Sequence, residues 1–278
     1  YLRHKINYSS MDKLRVFTAF SGYDSQCMAL DRLARGFPEF SYELVGWSEI
    51  DPYAIQAHDA LYPQWADRNY GDISKIDWSQ VPDFDLFTYS YPCTDISNSG
   101  RQEGLAEGSG TRSSLLWECR KTVIAKRPKF LLMENVKALV SKKFLPQFNK
   151  WRSELSGYGY ANFAQVLNAK DYGVPQNRER VFMVSILRSD DCSHPSYHFP
   201  YPFPLELRLK DMLERKVDES YYLSDDALKG LVFEDDTMLL TASRGGAIQR
   251  VGKYSNSQDG VVCRSSGVSP THTSGHGN

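Results

Sequence analysis

Several short stretches of this 278-residue chain pair reactive side chains with apolar runs that precede or follow them. Tyr91-Pro92-Cys93 follows the apolar run 84–89. A lone cysteine there has two readings: a small buried hydrophobe, or a thiol at the mouth of a cleft, activated by nearby positive charge. The proline stiffens the chain beside it, and a polar loop over 94–113 follows. Glu134-Asn135-Val136 follows Phe130-Leu131-Leu132-Met133. Burial raises a carboxyl pKa, so Glu134 suits a proton donor; the competing reading is a structural carboxylate paired with Arg or Lys. Glu49 ends a third run, where a carboxylate can accept hydrogen bonds from both hydroxyls of a ribose. Asp72, in Gly71-Asp72-Ile73, reads equally as a helix cap. Phe20-Ser21-Gly22-Tyr23 opens a tight turn whose single glycine lets a ligand approach the backbone, although a plain connection would look the same. Arg178 and Arg180, two apart before an apolar run, share one side of an extended chain. They suit a carboxylate or a phosphate.

Residues of this kind need elements to hold them, and the pattern supplies these. Strand-like runs at 14–20, 42–47, 84–89, 130–133 and 181–187 alternate with helix-like segments at 25–35, 52–61, 114–125 and 144–155. That alternation predicts an α/β protein with a doubly wound, mostly parallel sheet. Ligands of such sheets bind beyond the carboxyl ends of the strands. From about Ser189 the texture changes. Residues 194–204 are rich in proline and aromatics, and 237–278 in Ser, Gly and Thr, with short β-like pieces at 237–241 and 260–263. This predicts a small, irregular, β-leaning region. The division expected is an upstream extension or cloning remnant over 1–10, a catalytic domain over 11–187 and a second region over 188–278.

Composition narrows the class. With 41% hydrophobic and 24% charged residues the chain is not collagen-like, mucin-like or wholly disordered. No apolar stretch approaches ~18 residues, so no membrane span is expected. Five cysteines with no C-x-x-C pair argue against zinc, so no metal is expected. Free thiols and the lack of a signal-like start predict a reducing, cytoplasmic setting. The net charge of −1 conceals opposed blocks: −5 over 1–85, +7 over 86–187, −6 over 188–236 and +3 over 237–278. A basic middle third fits either solvated helix faces or a lining that meets a polyanion.

Taken in order, Phe20-Ser21-Gly22, Glu49, Gly71-Asp72-Ile73, Pro92-Cys93 with Ser97 and Gly100, Arg112 leading to Leu115, Glu134-Asn135-Val136 and Gln176-Asn177-Arg178-Glu179-Arg180 resemble the cytosine-C5 DNA methyltransferases of the bacterial and phage restriction–modification type. The resemblance spans 14–187. It implies a fold of the S-adenosylmethionine-dependent methyltransferase type. It also implies methyl transfer from S-adenosylmethionine to C5 of a flipped-out cytosine in double-stranded DNA, since C6 cannot be reached inside a duplex. Cys93 would add to C6, Glu134 would hold N3 and Arg178 would orient the base. Phe20, Ser21, Gly22 and Tyr23 would pack on the cofactor, Glu49 would hold its ribose and Ile50 would cover the adenine. Asp72 and Ile73 would read the adenine edge, with Pro92 and Leu115 completing the pocket. Asn135, Arg180 and Ser97 would bind substrate. The region 188–278 would carry target recognition, with Arg244, Arg250, Lys253 and Arg264 as candidates for DNA contact. A cognate restriction endonuclease and a monomeric state also follow from the resemblance. Alternatives of other kinds are an RNA (tRNA) cytosine methyltransferase on the same scaffold and a catalytically dead DNA-binding relative.

The chain departs from the family pattern in four places. Asp24 and Ser25 stand where glycines are usual, so an acidic side chain is expected beside the methionine moiety. Ile50 replaces an aromatic residue. Arg112 is followed by Ser113 rather than glycine. Residues 267–278 look like the segment leaving the recognition region, so the chain is expected to stop before the family's C-terminal motifs.

Overall fold

A computed structural model of the protein describes residues 13–96, 107–190, 192–222, 224–229, 232–233, 248, 250–253 and 261–271. Ser97, Gly100, Arg244, the β-like piece expected at 237–241 and the extension expected over 1–10 all lie outside these residues.

The first strand, β1 (Leu14–Ala19), runs parallel to both β2 (Tyr42–Ser48) and β3 (Leu86–Tyr89), and β3 runs parallel to β4 (Phe130–Val136). With β5 (Tyr160–Asn168) and β6 (Glu179–Leu187) they form a six-stranded sheet in the order β2-β1-β3-β4-β6-β5. Leu187 N donates to Lys129 O and Arg188 N to Gly159 O. The end of β6 therefore meets the starts of β4 and β5, and β6 runs against both. Strands of a sheet covered on both faces are apolar throughout rather than alternating. Val16, Phe17, Leu44, Trp47, Phe87, Tyr89, Leu131 and Met133 are all buried.

Helices α1 (Ser25–Gly36), α2 (Pro52–Leu61), α3 (Glu118–Lys126) and α4 (Leu145–Gly157) connect the strands. Cys27 and Leu30 of α1 join Val16, Leu44, Trp47 and Tyr62 in one buried cluster. Trp151 of α4 lies under β3, its Nε1 donating to Tyr89 Oη at 3.0 Å. Gly46 in β2 is required by packing: a Cβ there would lie 2.7 Å from the rings of Phe17 and Tyr70.

Two elements differ from the sequence expectation. The helix expected at 114–125 begins as a 3₁₀ turn, Arg112–Trp117, and becomes α-helical only from Glu118. Strand β5 was not anticipated. It ends the sheet order and buries little beyond Tyr160, so its apolar signal is weak.

The chain forms two compact units, and the division is not the expected one at 187/188. One unit runs to Gln165 and includes Val181–His198; the other comprises Val166–Arg180 and the chain from Phe199 onward. Arg178 and Arg180 thus belong to the second unit rather than to the catalytic domain expected over 11–187. That unit contains α5 (Asp225–Lys229) and an antiparallel sheet of β7 (Val232–Phe233), β8 (Arg250–Lys253) and β9 (Val261–Cys263). No helix among the described residues is long and apolar enough to cross a membrane.

Candidate active site

Strand register builds the site. Ala19 pairs with Ser48 on one side and Tyr89 on the other, and Tyr89 pairs with Met133. Ser48, Ala19, Tyr89 and Met133 therefore form one row, and the chain beyond that row supplies Glu49, Phe20–Tyr23, Pro92-Cys93 and Glu134. From β1 the chain winds outward to β2, then crosses back to place β3 on the other side of β1. Ligand crevices open where strand order reverses in this way. Here the reversal falls between the β1 turn, with its glycine, and the β3 turn, with its cysteine.

The β1 turn is held by its own polar side chains. Phe20, Gly22 and Asp24 have φ of 56°, 57° and 62°. Ser21 is buried, not presented to a ligand: its hydroxyl donates to Thr18 O at 3.0 Å, and its N–H donates to Ser48 O. Asp24 also overturns an expectation. Its carboxylate points inward, accepting from Thr18 Oγ1 at 2.7 Å and from Cys27 N at 3.1 Å as the N-cap of α1. It is fully buried, and burial pushes its pKa up despite those hydrogen bonds. His58 lies behind it, Nε2 3.8 Å from Asp24 Oδ2, stacked on Trp47. What remains open at the turn is Gly22, where a Cβ would meet nothing within 4 Å, with Tyr23 exposed beside it.

Glu49 is half-buried and already accepts three backbone donors: Gly22 N on Oε2 at 2.9 Å, and Ile50 N and Asp51 N on Oε1 at 2.8 and 3.0 Å. A carboxylate offers about four acceptor sites, so about one stays free. Holding both hydroxyls of a ribose requires Gly22 N–H to release Oε2. Ile50 is 62% exposed, an apolar surface next to this carboxylate. Asp72 caps a short 3₁₀ turn, accepting from Ser74 N and Oγ, and these bonds pull its pKa down. Ile73 departs from expectation: its side chain is buried in the core, leaving only its backbone at the site. Gly71, like Gly22, has open space on its Cβ side.

Sequence reasoning missed the residue that ties these pieces together. Asn69 Oδ1 accepts from Glu49 N at 3.2 Å and Gly71 N at 2.9 Å, while Nδ2 donates to Glu49 O at 3.2 Å. The signal available was Asn two residues before Gly, a turn-forming pair.

On the other side of the crevice, Cys93 and Glu134 are both half-buried, Cys93 in the turn after β3 and Glu134 within β4, one residue past Met133 of the shared row. Asn135 is not a surface contact for substrate, as the resemblance implied. It is buried, and its Nδ2 donates to Tyr91 O at 3.0 Å, joining the cysteine turn to the end of β4. Tyr91 is buried too; burial above all, with Cys93 and Glu134 among the neighbouring charges, drives its phenol pKa upward. Pro92 and Leu115 are half-buried.

In the second unit, Arg178 is held by its backbone: its N–H donates to Asn168 Oδ1 at 3.0 Å and its carbonyl accepts from Ala169 N. The adjoining Asn177 N donates to Ser269 O, and Thr271 Oγ1 donates to Asn177 O at 2.8 Å. Arg180 follows within β6. Arg250 and Lys253 share strand β8, and Arg264 follows β9. Ser97 and Arg244 lie outside the described residues.

Comparison with known proteins gives one consistent family. The chain is 38% identical over 264 residues to the type II methyltransferase M2.ScrFI of Lactococcus lactis subsp. cremoris, covering 77% of this chain and 71% of that one. It is 34% identical over 296 residues to the orphan methyltransferase M.SPRI of Bacillus phage SPR, covering 96% of this chain but 65% of the relative. It thus spans less than two thirds of the phage protein. Among solved structures, the methyltransferase EhMeth of Entamoeba histolytica matches with a TM-score of 0.63 at 18% identity, over 82% of this chain and 67% of that one. The Dnmt2 methyltransferase of S. pombe matches with a TM-score of 0.57 at 20% identity, over 78% and 64%. At these identities the structural likeness is one of fold. The sequence profile of C-5 cytosine-specific DNA methylases matches residues 20–262, and with that this chain belongs to the C-5 cytosine-specific DNA methylase family.

Proposed function

We propose that this protein transfers a methyl group from S-adenosylmethionine to C5 of cytosine in double-stranded DNA, with Cys93 as nucleophile. The observation that carries the reading is the shared strand edge, which puts the Cys93 turn and Glu134 on one side of the crevice and Gly22, Glu49 and Asp72 on the other.

The residues fit the cofactor. Two glycines leave backbone open to approach, Glu49 keeps an acceptor, and Ile50 and Tyr23 offer exposed apolar surface for an adenine and its ribose. When bound, S-adenosylmethionine supplies an electrophilic methyl carbon on a sulfonium. Cytosine C5 is a poor nucleophile until the ring is made electron-rich. Cys93 does this by adding its Sγ electron pair to C6, which moves the C5–C6 π pair to C5. Glu134 holds a proton at N3, so the negative charge that develops on the ring is met by a hydrogen bond. After methylation, the C5 proton passes to solvent water, its electron pair restores the C5–C6 double bond, and Cys93 leaves as thiolate. The base reaches Cys93 only when extruded from the duplex. We assign Arg178 and Arg180 to substrate, with Arg250 and Lys253 as phosphate or base contacts of the target-recognition region. The protein would work as a monomer in the cytoplasm, on the same DNA sites as a cognate restriction endonuclease.

The test is transfer of label from S-adenosylmethionine to mixed-sequence duplex DNA, with tRNA in competition. Label is expected in DNA at C5 of cytosine and absent with Cys93→Ser. Transfer to tRNA alone, no transfer at all, or undiminished transfer by Cys93→Ser overturns the reading.

A further inference from the structure

Beside the nucleophile lies a buried hydrogen-bond set that the reaction chemistry does not require. Asp95 and Ser113 are 18 residues apart in sequence. Ser113 N donates to Asp95 Oδ2 at 2.9 Å, and Asp95 N donates to Ser113 Oγ at 3.2 Å. The single hydroxyl proton of Ser113 goes to Pro92 O at 2.7 Å. Ser113 is fully buried and Asp95 nearly so. The roles are mutually consistent: a hydroxyl that donates to Pro92 O is left to accept from Asp95 N, and a carboxylate can only accept.

The bond to Pro92 O bears on the cysteine directly. That carbonyl belongs to the peptide plane that leads into Cys93, and Cys93 O is itself held by Ile96 N at 3.0 Å. On the strand side, Asn135 holds Tyr91 O. Peptide planes on both sides of Cys93 are thus fixed by partners outside it. Serine hydroxyls can bond to backbone groups of their own turn. Ser113 instead reaches the carbonyl next to the thiol.

We propose that Asp95 and Ser113 form a clasp that positions Cys93, acting through the Pro92–Cys93 peptide and touching neither cytosine nor cofactor. The catalytic part of this inference rests on the proposed function; the positional part does not.

The two parts are read by separate assays on the full chain, far below its melting temperature. In the first, iodoacetamide labels cysteines at several pH values and mass spectrometry resolves each site. Cys27 and Cys119 are buried and report general loosening. Ser113→Ala is expected to change Cys93 alkylation severalfold while Cys27 and Cys119 stay protected. In the second, single-turnover methyl transfer to duplex DNA is expected to fall about 10- to 100-fold in Ser113→Ala, the scale of a misplacement of about 1 Å. The affinity for S-adenosylhomocysteine should stay unchanged. Asp95→Asn, which keeps an acceptor for Ser113 N, should retain more activity than Asp95→Ala. Unchanged Cys93 alkylation in Ser113→Ala, or alkylation of Cys27 and Cys119 rising in step with it, overturns the clasp. If wild type transfers no methyl group, the proposed function fails, and the alkylation assay still decides the clasp.

Discussion

Replacing Asn69 with alanine tests how the cofactor side of the crevice is built. The change removes three hydrogen bonds at once: Glu49 N and Gly71 N lose their shared acceptor, and Glu49 O loses a donor. An intramolecular hydrogen bond contributes about 0.5–1.5 kcal/mol net. Because Glu49 and Gly71 are half-buried, water recovers part of this, and a stability loss of about 1–3 kcal/mol is expected. The effect on binding is separate. Glu49 would no longer be held toward the Gly22 turn, and losing one hydrogen bond from its carboxylate to a ribose hydroxyl costs about 1.5–3 kcal/mol. That corresponds to a roughly 10- to 100-fold weaker Kd. Urea denaturation measures the first quantity, and calorimetric titration with S-adenosylhomocysteine measures the second. An analogue without ribose hydroxyls gives the decisive comparison. Wild type should prefer the natural ligand, and Asn69→Ala should lose most of that preference. A variant that is destabilised yet keeps both the Kd and the preference would refute the argument, leaving Asn69 as scaffold alone.

Three further outcomes follow from the packing around the same turn. Asp24→Ala removes the N-cap of α1 and the acceptor of Thr18 Oγ1; a loss of about 0.5–2 kcal/mol is expected in urea denaturation. Gly46→Ala drives a methyl into Phe17 and Tyr70, with an expected cost of about 1–3 kcal/mol, read the same way. Burial holds the His58 pKa below its ordinary 6.5, against the charges of Asp24 and Asp59. The unfolded chain therefore binds the extra proton first as pH falls, and the His58 contribution to stability, complete above 6.5, declines below it. The raised Asp24 works in the opposite sense, its contribution being lost as pH rises from 3.8 through its folded value. Stability measured from pH 7.5 down to about 5.5, the range in which histidine titrates, should fall less steeply in His58→Phe. Equal slopes would contradict the burial argument.

Much of the candidate site was legible because its residues sit at or near strand ends. Glu49, Cys93 and Glu134 follow apolar runs, and parallel register then requires their neighbourhood on one edge. Residues whose work is to hold others gave no comparable sign. Asp95 and Ser113 have no local pattern, since each finds its partner 18 residues away. Ser113 read only as a missing glycine. Asn135 and Ile73 carry motif positions but face inward, because alternate residues of a strand face opposite ways and a 3₁₀ turn also has a buried side. Strand β5 was hidden by its mixed, half-buried composition.

By itself the sequence determined the α/β order and the motif series of the family, both of which depend on local apolar periodicity and on residue identity. Tertiary structure decided where side chains point. It turned Asp24 into the protein as a cap rather than out toward a ligand, because a left-handed residue at that position aims its carboxylate back at the first turn of α1. It also separated Arg178 and Arg180 into the second unit with Val166–Arg180. The first outcome depends on a backbone conformation that no apolar periodicity records, and the second on contacts between residues far apart in the chain, such as Asn177 N with Ser269 O.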